Sequence, residues 1–273
     1  MQLKNSIKSI AIGSFDGLHQ GHKALVNQVE AVVVIERNGG YLTPGYRRSL
    51  WVEQACFFYH FEKIKSLKAE DFVIKLKEDF PSLECIVVGY DFGFGYKKEG
   101  DSSLLKKLFK GEVVVVDEVK KSDISIHSRV IKDYLLKGDI EVVKELLGRS
   151  FILSGSVISG QGLGKKALVP TLNLKVYDYQ LPKHGVYATR TKVGGAWFES
   201  VTFLGHRVTT DGSFAVETYI LEREMGIIRG LIWVEFVSFI RENQKFNGLD
   251  KLKKQINKDI EECKKIFKKE ERK

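Results

Sequence analysis

Cysteine is scarce in this 273-residue chain, which has three, Cys56, Cys85 and Cys263, at no metal-ligand spacing. That excludes a disulfide framework and a zinc pattern, and it points to a reducing, cytoplasmic setting. No apolar run is long enough to cross a bilayer. Met1 to Lys8 lacks an apolar h-region and a small-residue cleavage site, so export is not expected. There is no internal repeat and no low-complexity linker. What is present, 43% apolar residues, suits a folded chain of about two domains, each long enough to bury its own core. The net charge of +9 comes from lysines spread along the chain, denser at Lys106–Lys110, Lys120–Lys121 and the C-terminal tail. Such a balance fits contact with nucleic acid or the handling of anionic small molecules, and charge alone does not choose between them.

The first half alternates between two periodicities. Runs at Ile7–Ile12, Ala31–Ile35, Cys56–Phe61, Cys85–Val88 and Val113–Val116 read as strands, and segments of helical spacing lie between them. Near-continuous Val/Ile runs belong to strands buried on both faces, as in a parallel sheet. The expectation is a Rossmann-like, doubly wound α/β domain over residues 1–150. It closes with helices at Ser128–Leu136 and after Gly138-Asp139, the second ending at Gly148. Residues 151–273 change character. Strands at Phe151–Ile158, Gly185–Val193, Ala196–Phe203, Ala215–Leu221 and Ile232–Phe239, with Gly194-Gly195 as a hairpin turn, predict a small antiparallel β-barrel. From Leu249 a stripe of Leu252, Ile256, Ile260, Cys263 and Phe267 predicts a helix across the barrel that frays after Phe267.

Gly13-Ser14-Phe15-Asp16-Gly17-Leu18-His19-Gln20-Gly21-His22 stands where the first strand turns into a helix. In such open sheets ligands bind at the carboxyl ends of strands, and a helix start favours anions. Gly13 permits close backbone approach, and Gly21 keeps bulk away from between two imidazoles. Read alone, His19 and His22 are surface residues, a helix cap, or groups that stabilise charge on a triphosphate; no third His or Cys nearby completes a zinc site. In the second half, Gly160, Gly162 and Gly164 can fold backbone N–H groups around phosphates, and Thr171 and Asn173 offer neutral oxygens suited to Mg²⁺. Glu217, a lone carboxylate on a predicted strand, reads by itself as an outward-facing surface residue, which alternation allows.

The ten-residue segment resembles the nucleotidyltransferase signature in the form found in bacterial bifunctional riboflavin kinase/FAD synthetases. Val88-Gly89-Tyr90-Asp91-Phe92-Gly93-Phe94-Gly95, followed by Gly100-Asp101, resembles that family's second loop after a strand. Gly155–Gly160, Gly162-Leu163-Gly164-Lys165, Pro170-Thr171-Leu172-Asn173, Val216-Glu217-Thr218 and the stretch from Arg241 to Asp259 resemble the riboflavin kinase part. The resemblance implies a transferase that phosphorylates riboflavin to FMN with ATP, then adenylylates FMN to FAD with release of pyrophosphate. It implies His19, His22 and Glu217 as catalytic residues, Glu217 being the base toward the ribityl hydroxyl. ATP would be bound by Gly13, Ser14, Phe15, Asp16, Gly21, Ser128, Arg129, Lys132, Gly160, Gly162, Gly164 and Lys165. The flavin would be bound by Asp91, Phe92 and Arg241, and Mg²⁺ by Thr171 and Asn173. The partners implied are ATP, riboflavin and FMN, with no nucleic acid and no membrane, for a monomer or weak homo-oligomer.

Three segments depart from the family pattern, one being Leu168-Val169 before Pro170, where Gly-Phe is usual. Glu36-Arg37-Asn38-Gly39-Gly40 leads almost directly to Leu42-Thr43-Pro44 where a longer loop is usual, and His127-Ser128-Arg129-Val130-Ile131-Lys132 replaces Ser-Ser-Thr-x-Ile-Arg. Lysine does not equal arginine in bidentate phosphate binding. The competing expectations are therefore a chain with one activity, the kinase, and a non-catalytic nucleic-acid-binding protein.

Overall fold

The computed structural model describes residues 2–37, 39–159, 169–209, 211–223 and 226–271. The chain divides into two compact units, Met1–Val130 and Ile131–Lys273.

In the first unit, strands β1 (Ser9–Gly13), β2 (Ala31–Glu36), β3 (Ala55–His60), β4 (Cys85–Gly89) and β5 (Glu112–Val116) form an all-parallel sheet in the order β3-β2-β1-β4-β5. The apolar runs are buried on both sides because alternate residues face opposite layers. Ile10, Ile12, Val33, Ile86 and Val88 pack against Phe72, Leu76 and Leu105 on one face, while Ala11, Val32, Val34 and Val87 pack against Leu18, Leu25 and Val26 on the other. The helices of this unit follow α1 (Gln2–Ser6) in chain order: α2 (Gln20–Val26), α3 (Phe61–Ile64), α4 (Ala69–Asp79) and α5 (Ser102–Leu108). Strand order reverses between β1 and β4, so the crevice between Gly13 and Gly89, their carboxyl ends, is the switch point at which such sheets bind ligands.

A short hairpin, β6 (Lys120–Lys121) and β7 (Ile124–Ser125), leads to α6 (Ser128–Lys137) and α7 (Ile140–Leu147). Gly148 caps α7 in the left-handed conformation, as its position in the sequence implies.

The second unit is a closed barrel, β10-β11-β12-β9-β8-β13. Its strands are β8 (Phe151–Ile158), β9 (Leu172–Lys175), β10 (Gly185–Val193), β11 (Ala196–His206), β12 (Phe214–Ile220) and β13 (Leu231–Glu242). Positive φ at both Gly194 and Gly195 makes the tight turn between β10 and β11. α7 buries Ile140, Val143, Leu146 and Leu147 and packs on β8 and β13. The compact units therefore part ahead of α7, upstream of the change in sequence periodicity near Ser150. α8 (Leu249–Glu270) lies on β10, β11 and β13 with Cys263 and Phe267 buried beside Ala188 and Leu221. It runs past Phe267, where fraying was expected, because Arg190 stacks on the Phe267 ring and pairs with Glu270 at 2.6 Å.

The barrel interior is not wholly apolar. Thr189, Thr202, Thr218, Thr191 and Ser200 are fully buried and hydrogen-bond in a closed circuit, with successive contacts of 2.7, 3.0, 3.0, 2.8 and 2.8 Å. Each hydroxyl has at least two partners, which offsets the cost of taking it out of water.

Candidate active sites

The switch-point crevice of the first unit opens into a cavity of about 930 Å³. Gly13, Ser14, Phe15, His19, Gly21 and His22 line it, together with Asp91, Phe92, Ser128 and Arg129. The loop after β1 is conformationally demanding: Phe15, Gly17 and Leu18 all have positive φ, which is costly for the two that carry side chains. Burial of both, each 1% exposed, holds them there. The Phe15 ring covers Gly13, where a Cβ would stand 3.3 Å from it, and meets His22 edge-on at 5.2 Å.

His19 caps α2 by accepting the His22 backbone N–H on Nδ1 at 3.2 Å. In the neutral ring the proton therefore resides on Nε2. The two imidazoles stack at 3.5 Å. Desolvation, then the charges of His19, Arg48 and His127, hold the His22 pKa well below its ordinary 6.5, so His22 is neutral at pH 7.

Asp16 does not line the cavity. Its Oδ1 accepts from the Thr43 backbone at 3.1 Å, and its carbonyl accepts from Ser128 Oγ at 2.8 Å. It thus ties the signature loop to the shortened segment and to the start of α6. Arg48, fully buried, secures the same segment through Glu36 Oε1 at 2.9 Å and the face of Tyr41 at 4.5 Å. Lys132 is on α6 and is not among the residues lining this cavity. His127, which departs from the family pattern, joins a cavity-lining cluster that sequence reading did not assemble. Tyr90 donates to Glu118 at 3.1 Å and meets His127 Nε2 at 2.9 Å. The Glu118 carboxyl is lowered to about 2, first by the Ser125 hydroxyl and then by Lys120.

In the second unit Asn173 on β9 pairs in register with Glu217 on β12, which places both on one face. Thr218, next to Glu217, points the other way into the hydroxyl circuit. Arg207, absent from the sequence reading, joins the pair. Its Nη2 donates to Asn173 Oδ1 and Glu217 Oε1, both at 2.7 Å, and its Nε donates to the same Glu217 oxygen at 3.0 Å. Its Nη1 donates to Ser213 Oγ at 2.6 Å. Arg207 lies just past the end of β11, where neither periodicity nor a motif marks it. Oxygens that converge on one positive group are a donor set suited to Mg²⁺, and Thr171 lies two residues before Asn173. Among the described residues no cluster of three or more His, Cys, Asp or Glu side chains makes a separate metal centre. Gly160, Gly162, Gly164 and Lys165 lie outside the described residues. Arg241 is held bidentately by buried Asp259 at 2.8 and 2.7 Å, with Gln255 on the same carboxylate, and so fastens β13 to α8.

The family model for riboflavin kinase matches residues 147–267, and that for FAD synthetase matches residues 47–130. The chain belongs to the bifunctional riboflavin kinase/FAD synthetase family. Its similarity to members of that family runs nearly end to end. The bifunctional riboflavin kinase/FMN adenylyltransferase of Listeria monocytogenes is 29% identical over 95% of this chain and 92% of its own length. That of Escherichia coli is 27% identical over 92% and 90%. A crystal structure from Streptococcus pneumoniae, described as a macrolide-efflux protein, shares the fold with a TM-score of 0.82 over 95% of both chains at 25% identity. Among the described residues no helix is long and apolar enough to cross a membrane. The synthetase match contains Asp91, Ser128 and Arg129, and the kinase match contains Asn173, Arg207 and Glu217.

Proposed function

We propose that the barrel transfers the γ-phosphoryl of ATP to the 5′-hydroxyl of riboflavin, and that the α/β unit transfers the adenylyl group of a second ATP to the FMN phosphate. The observation that carries this reading is the pairing of two separate sites. Stacked His19 and His22 stand at a switch-point cavity in one unit, and Glu217 is registered with Asn173 in the other.

In the barrel, Glu217 takes the proton of the ribityl hydroxyl as its oxygen bonds to phosphorus and the β–γ bridge breaks. Thr171 and Asn173 would hold Mg²⁺, which would supply neutralisation of phosphate charge when bound with ATP. In the α/β unit the attacking group is already an ionised phosphate, so no base is needed. His19 Nε2–H and His22 stabilise charge as pyrophosphate leaves, with Gly13, Ser14, Phe15 and Gly21 giving backbone access and Ser128 and Arg129 lining the same cavity. Asp91 and Phe92, on the loop after β4, are assigned to the flavin. Arg241, already bound by Asp259, is assigned to the support of α8. The three cysteines are free, in keeping with a cytoplasmic setting.

Chromatographic separation of flavins after incubation with riboflavin and MgATP tests both halves. His22→Ala is expected to lower FAD formation by about 10²–10³ while FMN formation stays near normal. Glu217→Gln is expected to abolish FMN formation while FAD still forms from supplied FMN. Equal loss of both activities in either variant refutes separate sites.

A further inference from the structure

Arg207 lies between Asn173 and Glu217, where the kinase reading assigns a divalent cation. Asn173 Oδ1 and Glu217 Oε1 each receive the same guanidinium nitrogen at 2.7 Å, and Nε adds a third contact. The group is anchored from behind by Ser213 Oγ, and Asp211 stands at 4.0 Å. Arg207, Glu217 and Asn173 are all largely buried, with side-chain exposure of 16% and 24% for the charged pair. The guanidinium is thus fixed on four sides and only weakly screened by solvent. A cation cannot share Asn173 Oδ1 with it, because the positive charges would be within a few ångströms of each other.

We propose that Arg207 is a resident cation of the kinase site, which the divalent metal must displace and which excludes that metal until nucleotide arrives. This rests on the reading of the barrel as the kinase. A lone metal ion must break the three charge-assisted hydrogen bonds from Arg207 to Asn173 and Glu217 and leave the guanidinium poorly paired in a partly buried place. A metal arriving with ATP brings phosphate oxygens, which the planar fork of arginine matches. The exchange makes metal entry conditional on nucleotide, and it preserves the orientation of Asn173 and Glu217 in the meantime. Among the described residues Glu217 Oε2 accepts no hydrogen bond, so one carboxylate oxygen stays available for the ribityl hydroxyl while the other is held.

The test is Mn²⁺ binding to the full chain without nucleotide, followed by electron paramagnetic resonance. Arg207→Gln is expected to bind Mn²⁺ at least about tenfold more tightly than the wild type. Arg207→Lys, which keeps the charge, is expected to exclude it as the wild type does. Ser213→Ala, which removes only the rear anchor and is the milder change, is expected to fall between them. Adding Asn173→Leu to Arg207→Gln is expected to return binding to the wild-type level, which places the ion at this site. Wild-type affinity in both Arg207→Gln and Ser213→Ala overturns the proposal, as does a gain that survives loss of Asn173. A full FMN-forming rate in Glu217→Gln alone refutes the kinase reading instead, and the metal measurement then still decides the role of Arg207.

Discussion

Gly21→Ala separates the position of the His19 imidazole from the stability of the fold. A Cβ at residue 21 would stand 3.2 Å from both Cε1 and Nδ1 of His19 and 3.2 Å from the Ile126 carbonyl oxygen. Neither neighbour yields freely. His19 is 3% exposed and stacked on His22 at 3.5 Å, and Ile126 precedes the His127–Arg129 wall of the cavity. Relief therefore needs a shift of a few tenths of an ångström in the ring whose Nδ1 caps α2. Overpacking of this kind costs about 1–3 kcal/mol, and replacing glycine in the first turn of a helix offsets up to about 1 kcal/mol of that. The net loss of stability is about 0–3 kcal/mol, which a melting curve reads directly. Catalysis is the more sensitive quantity, since misplacement by 1 Å can cost about 10²-fold. FAD formation from FMN is expected to fall about tenfold, with FMN formation from riboflavin as an internal control. An unchanged FAD rate in a folded variant refutes the claim that the His19 position governs adenylyl transfer.

Further predictions concern pH and the two cores. Because the folded protein holds the His22 pKa well below 6.5, the unfolded chain binds more protons between that lowered value and 6.5. The contribution is fully present above pH 6.5 and is lost as pH falls toward the lowered value, by at most about 1.4 kcal/mol per pH unit. His22→Gln should flatten the dependence of denaturation midpoint on pH just below 6.5, and an identical slope in the variant would count against a neutral His22. Thr202→Val, which keeps shape and removes one hydroxyl from the closed circuit, should destabilise the barrel by about 1–3 kcal/mol in a denaturant titration; an unchanged midpoint would show the circuit to be dispensable. Asp259→Asn should cost about 3–5 kcal/mol by leaving the Arg241 guanidinium poorly paired, and α8 amides should then exchange faster. Equal exchange in variant and wild type would detach Arg241 from the docking of α8.

Much of this architecture is legible in the chain because apolar periodicity and glycine placement report it locally. The five strands of the first unit fall on the Val/Ile runs to within a residue or two, and Gly13–His22 lies at the turn that its glycines require. The barrel strands β8 and β10 coincide with the sequence expectation, whereas β13 extends three residues past Phe239 to Glu242. What escapes a linear reading depends on pairing across sequence. Arg207 gains meaning only because β12 and β9 bring Glu217 opposite Asn173. Arg241 looks available for a flavin until α8 presents Asp259, 18 residues later. Asp16 sits inside a ligand-binding signature yet points back to the Thr43 backbone, 27 residues on. None of these contacts leaves a periodic trace.

The ring of hydroxyls in the barrel has a consequence for how the chain finds its strand pairing. Slipping a strand by one residue turns its buried face outward and is heavily penalised in any sheet. Slipping it by two keeps the same face inward, and an all-aliphatic interior would hardly register the error. Here a two-residue slip of β10, β11 or β12 would set a hydroxyl against an aliphatic or aromatic neighbour such as Tyr187, Leu204 or Val216, opening the loop of donors and acceptors at two points. Each break leaves polar atoms stranded away from water. The five oxygens therefore act as a parity check on assembly, rejecting the near-miss alignments that hydrophobicity alone would tolerate. The alignment so selected is the one that places Glu217 opposite Asn173.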